Sequence, residues 1–265
     1  AHYVSVNGFN GLHGRTVAAA AGIDVLHLCD SEFNLDYDHA LAVCREFARR
    51  GLGERLQWYT YAAVVPFDTE LAAAMRRAGF VGINFGADSA NADMLCSYGR
   101  RHRKEDIANA VGLCKQNDIR AMIDLLLGGP GETPDTVRET IGFLKAANPY
   151  AVGAALGVRL YPGTALARRL ADEGTLEDDP GVRTAGSSRG PDGLLRPVFY
   201  VSPELGPEPA QLVRDIIGDD ERFFEPAPLE QLEDYNYSGN EALCEAIRGG
   251  ARGAYWDILR QARGG

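Results

Sequence analysis

Apolar positions along the chain follow two periods in turn. Short runs rich in branched and aromatic residues occur at 23–29, 56–65, 81–85, 121–127 and 152–160. Each is too short for a helix and reads as a strand. Between and after them the apolar period is 3.6. Residues 37–50 align Ala40, Leu41, Cys44 and Phe47 on one stripe, and 69–78 align Leu71, Met75 and Ala78. Residues 104–116 do the same with Ile107, Val111 and Cys114, and 134–147 with Val137, Ile141 and Leu144; a further helix is predicted at 165–173.

Capping chemistry supports these starts. Asp36, Asp68, Thr133 and Thr164 each precede a predicted helix and can accept from an orphan first-turn amide, and Pro134 suits the first helical position. Strand and helix alternating five times imply parallel strands joined by right-handed crossovers, hence an α/β fold, either a doubly wound sheet or a (β/α) barrel. Both place their chemistry at the carboxyl ends of the strands. From 174 to 193 the composition turns to Gly, Pro, Ser and Asp and predicts a surface loop. Beyond it stand a candidate strand at 195–201, a helix at 209–217 and one or two helices over 240–262, interrupted at Gly249-Gly250. The expected division is a barrel over 1–173, a linker over 174–193 and a mostly helical extension over 194–265.

The chain has 265 residues, a net charge of −10 and no basic run, which argues against a nucleic-acid partner. No stretch approaches the roughly 20 apolar residues of a membrane span, and the amino terminus lacks the pattern of a signal peptide. The five cysteines, Cys29, Cys44, Cys96, Cys114 and Cys244, form neither a C-x-x-C pair nor a disulfide framework. A cytoplasmic, reducing location is the expectation.

Four strand ends carry candidate chemistry. Leu127-Gly128-Gly129-Pro130-Gly131-Glu132 runs from a buried strand through a glycine turn into a capped helix. It is either a tight βα turn or a cradle in which backbone approaches a flat or anionic ligand; it lacks the Lys-Ser/Thr of a Walker A loop. Asp30-Ser31-Glu32 puts two carboxylates directly after a strand, as a solvated loop or as a holder of an ammonium group or metal. Asp88-Ser89 ends another strand, as a turn or a source of polar contacts. Arg159, before Tyr161-Pro162-Gly163-Thr164, is a buried cation if it faces the barrel and a surface residue if it faces outward.

In this order, D-S-E, G-x-D-S, L-L-x-G-G-P-G-E-T and R-x-Y-P-G-T resemble the radical S-adenosylmethionine (radical SAM) superfamily, and within it the members that carry a B12-binding domain ahead of the radical domain. The tail, Asp234-Tyr235-Asn236-Tyr237 and residues 250–259, resembles the end of that subgroup. The resemblance implies a partial (β/α)6-type barrel. It implies S-adenosylmethionine held by Asp30, Ser31 and Glu32 at its amino group, by Asp88 and Ser89 near its carboxylate or ribose, and by Leu127, Gly128, Gly129, Pro130 and Gly131 at its adenine, with Arg159 alongside. It further implies a [4Fe-4S] cluster, cobalamin in a separate upstream domain, a reductant protein and a small-molecule substrate, with methyl transfer to a substrate carbon.

The sequence departs from that pattern where the cluster should be. The superfamily holds its cluster with C-x3-C-x2-C after the first strand, and neither that segment nor its βα unit is present. Two readings remain: a radical domain whose cluster ligands lie upstream, or a cluster-less barrel that binds S-adenosylmethionine or a partner. A (β/α)8 enzyme with a phosphate site at the glycine turn would need two more βα units. If the resemblance holds, Asp30, Glu32, Ser89 and the glycine turn share one face. The edge beside the 23–29 strand is then open or covered by residues 3–6. The aromatic tail either packs as core, through Trp256 and Ile258, or closes the open side of the barrel over a substrate.

Overall fold

A computed structural model describes residues 24–173, 179–184, 198–226 and 240–263. The expected alternation is present: β1 (Val25–Leu28), α1 (Tyr37–Arg49), β2 (Gln57–Ala62), α2 (Thr69–Arg77), β3 (Phe80–Asp88), α3 (Ala92–Ser97), α4 (Lys104–Gln116), β4 (Arg120–Leu127), α5 (Pro134–Ala147) and β5 (Ala151–Leu156). The cap residues act as their chemistry predicts. Asp36 accepts from the His39 amide at 3.0 Å, Asp68 from Leu71 at 2.9 Å, Thr133 from Thr136 at 3.3 Å and Thr164 from Ala167 at 3.3 Å.

β1 to β5 pair in sequence order, every pair parallel, and a two-residue strand, β9 (Phe223–Phe224), adds to β5. The result is the partial parallel barrel implied above. β9 escaped the sequence reading because two residues carry no period. Among the described residues β1 pairs on one side only; residues 3–6 and 174–178 lie outside them, as do 185–197 and 227–239. The predicted strand at 152–160 is two elements. Gly157, at φ +98°, turns the chain out of the sheet after Leu156, and β6 (Val158–Arg159) joins β7 (Val182–Thr184) and β8 (Val198–Tyr200) in a small antiparallel sheet. The remaining helices are α6 (Ala165–Glu173), α7 (Pro209–Ile217), α8 (Glu241–Arg248) and α9 (Tyr255–Arg263).

Alternation along the strands separates two apolar layers. Leu26, Trp58, Ile83, Phe85, Ile123, Leu125 and Val152 point toward the helices and form the main core, where Trp58 packs edge-on against Phe47 at 4.4 Å. Their neighbours point into the barrel. At the amino ends of the strands Tyr59, Met122, Ala151, Ala254 and Trp256 form a second cluster.

Helix α9 plugs that end. Trp256 packs edge-on against Tyr59 and Tyr150 at 5.9 and 6.0 Å, and Asp257, wholly buried, is bonded on all sides. It accepts from Tyr59 Oη at 2.5 Å, Tyr150 Oη and Gln261 Nε2 at 3.0 Å each, and the Arg120 guanidinium. Tyr150 is thereby pushed up to about 12, first by burial and then by the carboxylate. The tail thus packs as core, and α9 closes the end of the barrel opposite the carboxyl mouth, not the side over a substrate. Tyr235 and Tyr237 lie outside the described residues.

Candidate functional site

The carboxyl ends of β1 and β3 meet at one ion cluster, joined by Arg100 from the connection after β3. After β1 the chain is fastened to the loop after β2. The Asn34 side chain accepts from Ala63 N at 2.7 Å and donates to Ala63 O at 2.9 Å and Pro66 O at 2.6 Å, while Phe33 N donates to Tyr61 O at 2.9 Å. This holds Asp30, Ser31 and Glu32 at the rim, Ser31 exposed and the two acids half-buried. At the end of β3 a register shift puts Asp88 at φ +63°, a left-handed conformation that aspartate tolerates better than most residues. Its carboxylate is ion-paired with Arg100, whose guanidinium lies 3.6 Å from Glu32. Arg100 therefore ties Glu32 to Asp88. His102, hydrogen-bonded to Ala87 O at 3.0 Å, braces the same turn, and burial first lowers its pKa. Two carboxylates around one guanidinium leave a net negative charge at the mouth.

The glycine turn is next to this cluster but consumes its own amides. Glu132, fully buried, accepts from Gly128 N at 2.5 Å and Gly129 N at 3.3 Å. Burial pushes its carboxyl up to about 7. Tyr98 fills the space a Gly129 side chain would occupy. A Cβ there would lie 2.2 Å from Tyr98 Oη, which donates to Leu126 O at 2.7 Å and accepts from Gly129 N at 3.1 Å. Gly128 and Gly131 adopt φ of +88° and +84°. Glycine is required here by packing and backbone shape, and the amides of Gly128 and Gly129 already have partners.

Two predicted residues stand elsewhere. Ser89 is fully buried, its hydroxyl 3.0 Å from Thr140 Oγ1 and accepting from Asn91 N at 3.1 Å, so it fastens the loop to α5. Arg159 is exposed on the small sheet with its guanidinium over the Tyr161 ring at 5.0 Å, the outward alternative. Arg100 and Tyr98 were missed. Their only sequence signal is position, shortly after the G-x-D-S turn, because both act through contacts between separate strands.

The cysteines do not assemble. Cys44 and Cys114 face the core from α1 and α4, their thiols pushed up to about 12 by burial; Cys96 is exposed, and Cys29 and Cys244 are half-buried. Among the described residues no three Cys, His, Asp or Glu side chains gather as a metal site, and residues 1–23 contain no cysteine. The residues present do not fit a [4Fe-4S] cluster. The Glu32–Arg100–Asp88 cluster, with its excess of carboxylate, does fit the ammonium end of S-adenosylmethionine.

Comparison with known proteins identifies the family of the barrel. Residues 15–144 match the profile of the radical SAM superfamily. The chain is 30% identical to a tryptophan 2-C-methyltransferase of Streptomyces laurentii over 89% of this chain and 48% of that protein. It resembles two structures of the radical S-adenosylmethionine methyltransferase TsrM of Kitasatospora setae. One has cobalamin and a [4Fe-4S] cluster bound, with TM-score 0.78 and 27% identity over 93% of this chain and 54% of that one. The other has tryptophan and a SAM analogue bound, with TM-score 0.80 and 29% identity over 93% and 55%. The chain thus spans about half the length of these relatives. No helix among the described residues is long and apolar enough to cross a membrane. The parallel barrel of this chain is a radical SAM domain, homologous to those of the Streptomyces and Kitasatospora methyltransferases.

Proposed function

We propose that this chain is the S-adenosylmethionine-binding domain of a cobalamin-dependent radical methyltransferase acting on a small molecule. The observation that carries the reading is the Glu32–Arg100–Asp88 cluster at the carboxyl mouth of a radical SAM barrel. Asp30 and Glu32 accept from the ammonium of S-adenosylmethionine, and Arg100 orients Glu32 for that contact while facing the ligand's carboxylate. The Leu127–Gly131 turn, held rigid by Glu132 and Tyr98, offers Leu127, Gly128, Gly129, Pro130 and Gly131 as a wall for the adenine. Ser89 contributes by fixing the Asp88 turn, and Arg159 stands apart. When bound, S-adenosylmethionine supplies the methyl group or the 5′-deoxyadenosyl radical, and the protein supplies position and exclusion of water. The cluster ligands, the cobalamin domain and the reductant's docking site belong outside this chain. Methyl transfer to a substrate carbon, as the relatives' names indicate for tryptophan, is the activity proposed for the assembled protein.

Calorimetric titration of S-adenosylmethionine into this chain tests the reading. Binding by the wild type, weakened roughly tenfold in Glu32→Gln by loss of one charge-assisted contact and unchanged in Arg159→Gln, is the expected result. Equal affinity in all three proteins refutes the placement. Cluster reconstitution in a version carrying the upstream sequence separates the two readings of the cysteine pattern: iron and sulfide there support a radical enzyme, and none supports a cluster-less barrel.

A further inference from the structure

Below the ion cluster, the barrel interior contains a polar layer that the proposed placement of S-adenosylmethionine does not use. His27, Asn84 and Asp124 occupy inward positions of β1, β3 and β4, each between neighbours that face the helices. Tyr61 of β2 stacks on His27 with centroids 5.1 Å apart and planes at 22°. The Asn84 amide borders the Asp124 carboxylate.

Asn84 is 1% exposed, and apart from the neighbouring Asp124 carboxylate neither its Nδ2 nor its Oδ1 has a hydrogen-bond partner. An amide buried with so little of its hydrogen-bonding capacity used is costly, and such groups in native proteins generally have a ligand or water to meet. Asp124 is likewise without a cation: among the described residues it makes no salt bridge. Arg100 above it is paired with Asp88 and Glu32, and Arg120 below it with Asp257. Burial, opposed by the Asn84 amide and reinforced by repulsion from Asp88, pushes the Asp124 carboxyl up to about 6, so it is largely ionised at neutral pH. His27, lowered by burial to about 4, is neutral and offers no compensating charge.

The space around these groups is kept open by small residues. A Cβ on Gly86 would meet no atom within 4 Å, and a Cβ on Gly153 would lie 2.5 Å from Asp124 Oδ1, so a side chain at 153 would displace the carboxylate from its present position. Gly86, Asp124 and Tyr61 retain partial exposure, so the layer is reached from the mouth. It lies three residues below the end of β4, about 10 Å at the usual rise of a strand.

We infer that Asp124 and Asn84 form a subsite for the ammonium group of the substrate, with the Tyr61–His27 stack as the flat wall beside its carbon skeleton. The inference rests on the proposed function and adds the substrate class: a primary amine that enters ammonium first, its reacting carbon left nearer the mouth. An anionic group there would face an uncompensated carboxylate and is excluded.

Ligand-observed NMR on this chain at pH 7.5 with benzylamine, benzyl alcohol and benzoate as probes tests the subsite. Benzylamine is expected to bind at least tenfold more tightly than benzyl alcohol, and benzoate not to bind. Asp124→Asn should abolish the preference for the amine while leaving S-adenosylmethionine affinity unchanged. Gly86→Val, whose Cβ has room to form, should block benzylamine and covers the case in which Asp124→Asn does not fold. Equal binding of the amine and the alcohol, no binding of the amine, or unchanged binding in both variants overturns the inference. If the amine behaves as expected and S-adenosylmethionine does not bind the wild type, the cofactor reading fails and the ammonium subsite stands.

Discussion

Asp257 gives the most demanding stability test, since a fully buried carboxylate at the barrel floor is surrounded by donors from four different segments. Its oxygens accept from Tyr59, Tyr150, Gln261 and Arg120. Replacement by alanine leaves the Tyr59 hydroxyl buried without an acceptor, exposes Tyr150 and Gln261 to partial loss, and removes the counter-charge of Arg120. Hydrogen bonds to a charged group are worth about 1.5–3 kcal/mol each, and breaking a buried pair costs about 3–5 kcal/mol. The Arg120 side chain is 41% exposed and recovers hydration, so the contributions do not add. The expected loss for Asp257→Ala is about 4 kcal/mol. Asp257→Asn retains an acceptor for Tyr150 and Gln261 but not for the Tyr59 hydroxyl, and should lose about 2 kcal/mol. Urea denaturation followed by tryptophan fluorescence reads the change, because Trp256 packs against both tyrosines. A loss below about 1 kcal/mol in Asp257→Ala, with an unchanged denaturant slope, would refute the view that this carboxylate fastens the helix to the barrel floor.

Gly129→Ala forces a methyl group onto the Tyr98 ring and should cost at least about 2 kcal/mol, whereas Tyr98→Phe, which loses the bonds to Leu126 and Gly129, should cost about 1 kcal/mol by denaturation. Glu132 has its carboxyl raised from 4.5 to about 7, so its contribution is present below pH 4.5 and lost as pH rises through 7; wild type should lose about 2 kcal/mol relative to Glu132→Gln between pH 5 and 8. His27 has the opposite sign: lowered from 6.5 to about 4, it contributes above pH 6.5 and is lost as pH falls, so about 2 kcal/mol of wild-type stability should disappear between pH 7 and 5 and not in His27→Gln. Arg100→Gln should change stability by less than about 1 kcal/mol, its side chain being partly exposed, yet weaken S-adenosylmethionine binding roughly tenfold in the same calorimetric titration used for Glu32; an unchanged affinity would remove Arg100 from the site.

Helix and strand positions in this protein were legible because they depend on local rules. The stripe through Ala40, Leu41, Cys44 and Phe47 is buried as its period requires, and the caps at Asp36, Asp68, Thr133 and Thr164 bond the amides their chemistry suits. Alternation of such elements also implied that β1 to β5 run parallel, since a helical crossover between strands permits little else, but it left their order in the sheet open between a doubly wound sheet and a barrel. The D-S-E and G-G-P-G-E-T segments marked the correct ends of the strands for the same reason.

Direction and partnership were decided by tertiary structure. Whether Arg159 faced in or out depended on the turn at Gly157 into a second sheet. Whether Ser89 met a ligand depended on Thr140, 51 residues later. Arg100 joins Glu32 to Asp88 only because the ends of β1 and β3 converge, and α9 closes the amino end of the barrel because Asp257 finds donors on β2, at the start of β4 and just before β5. Periodicity records how a residue faces its own element. The charge balance of a lumen, and the occupancy of a turn's amides, arise from residues far apart in sequence whose distances are set only when the sheet curls.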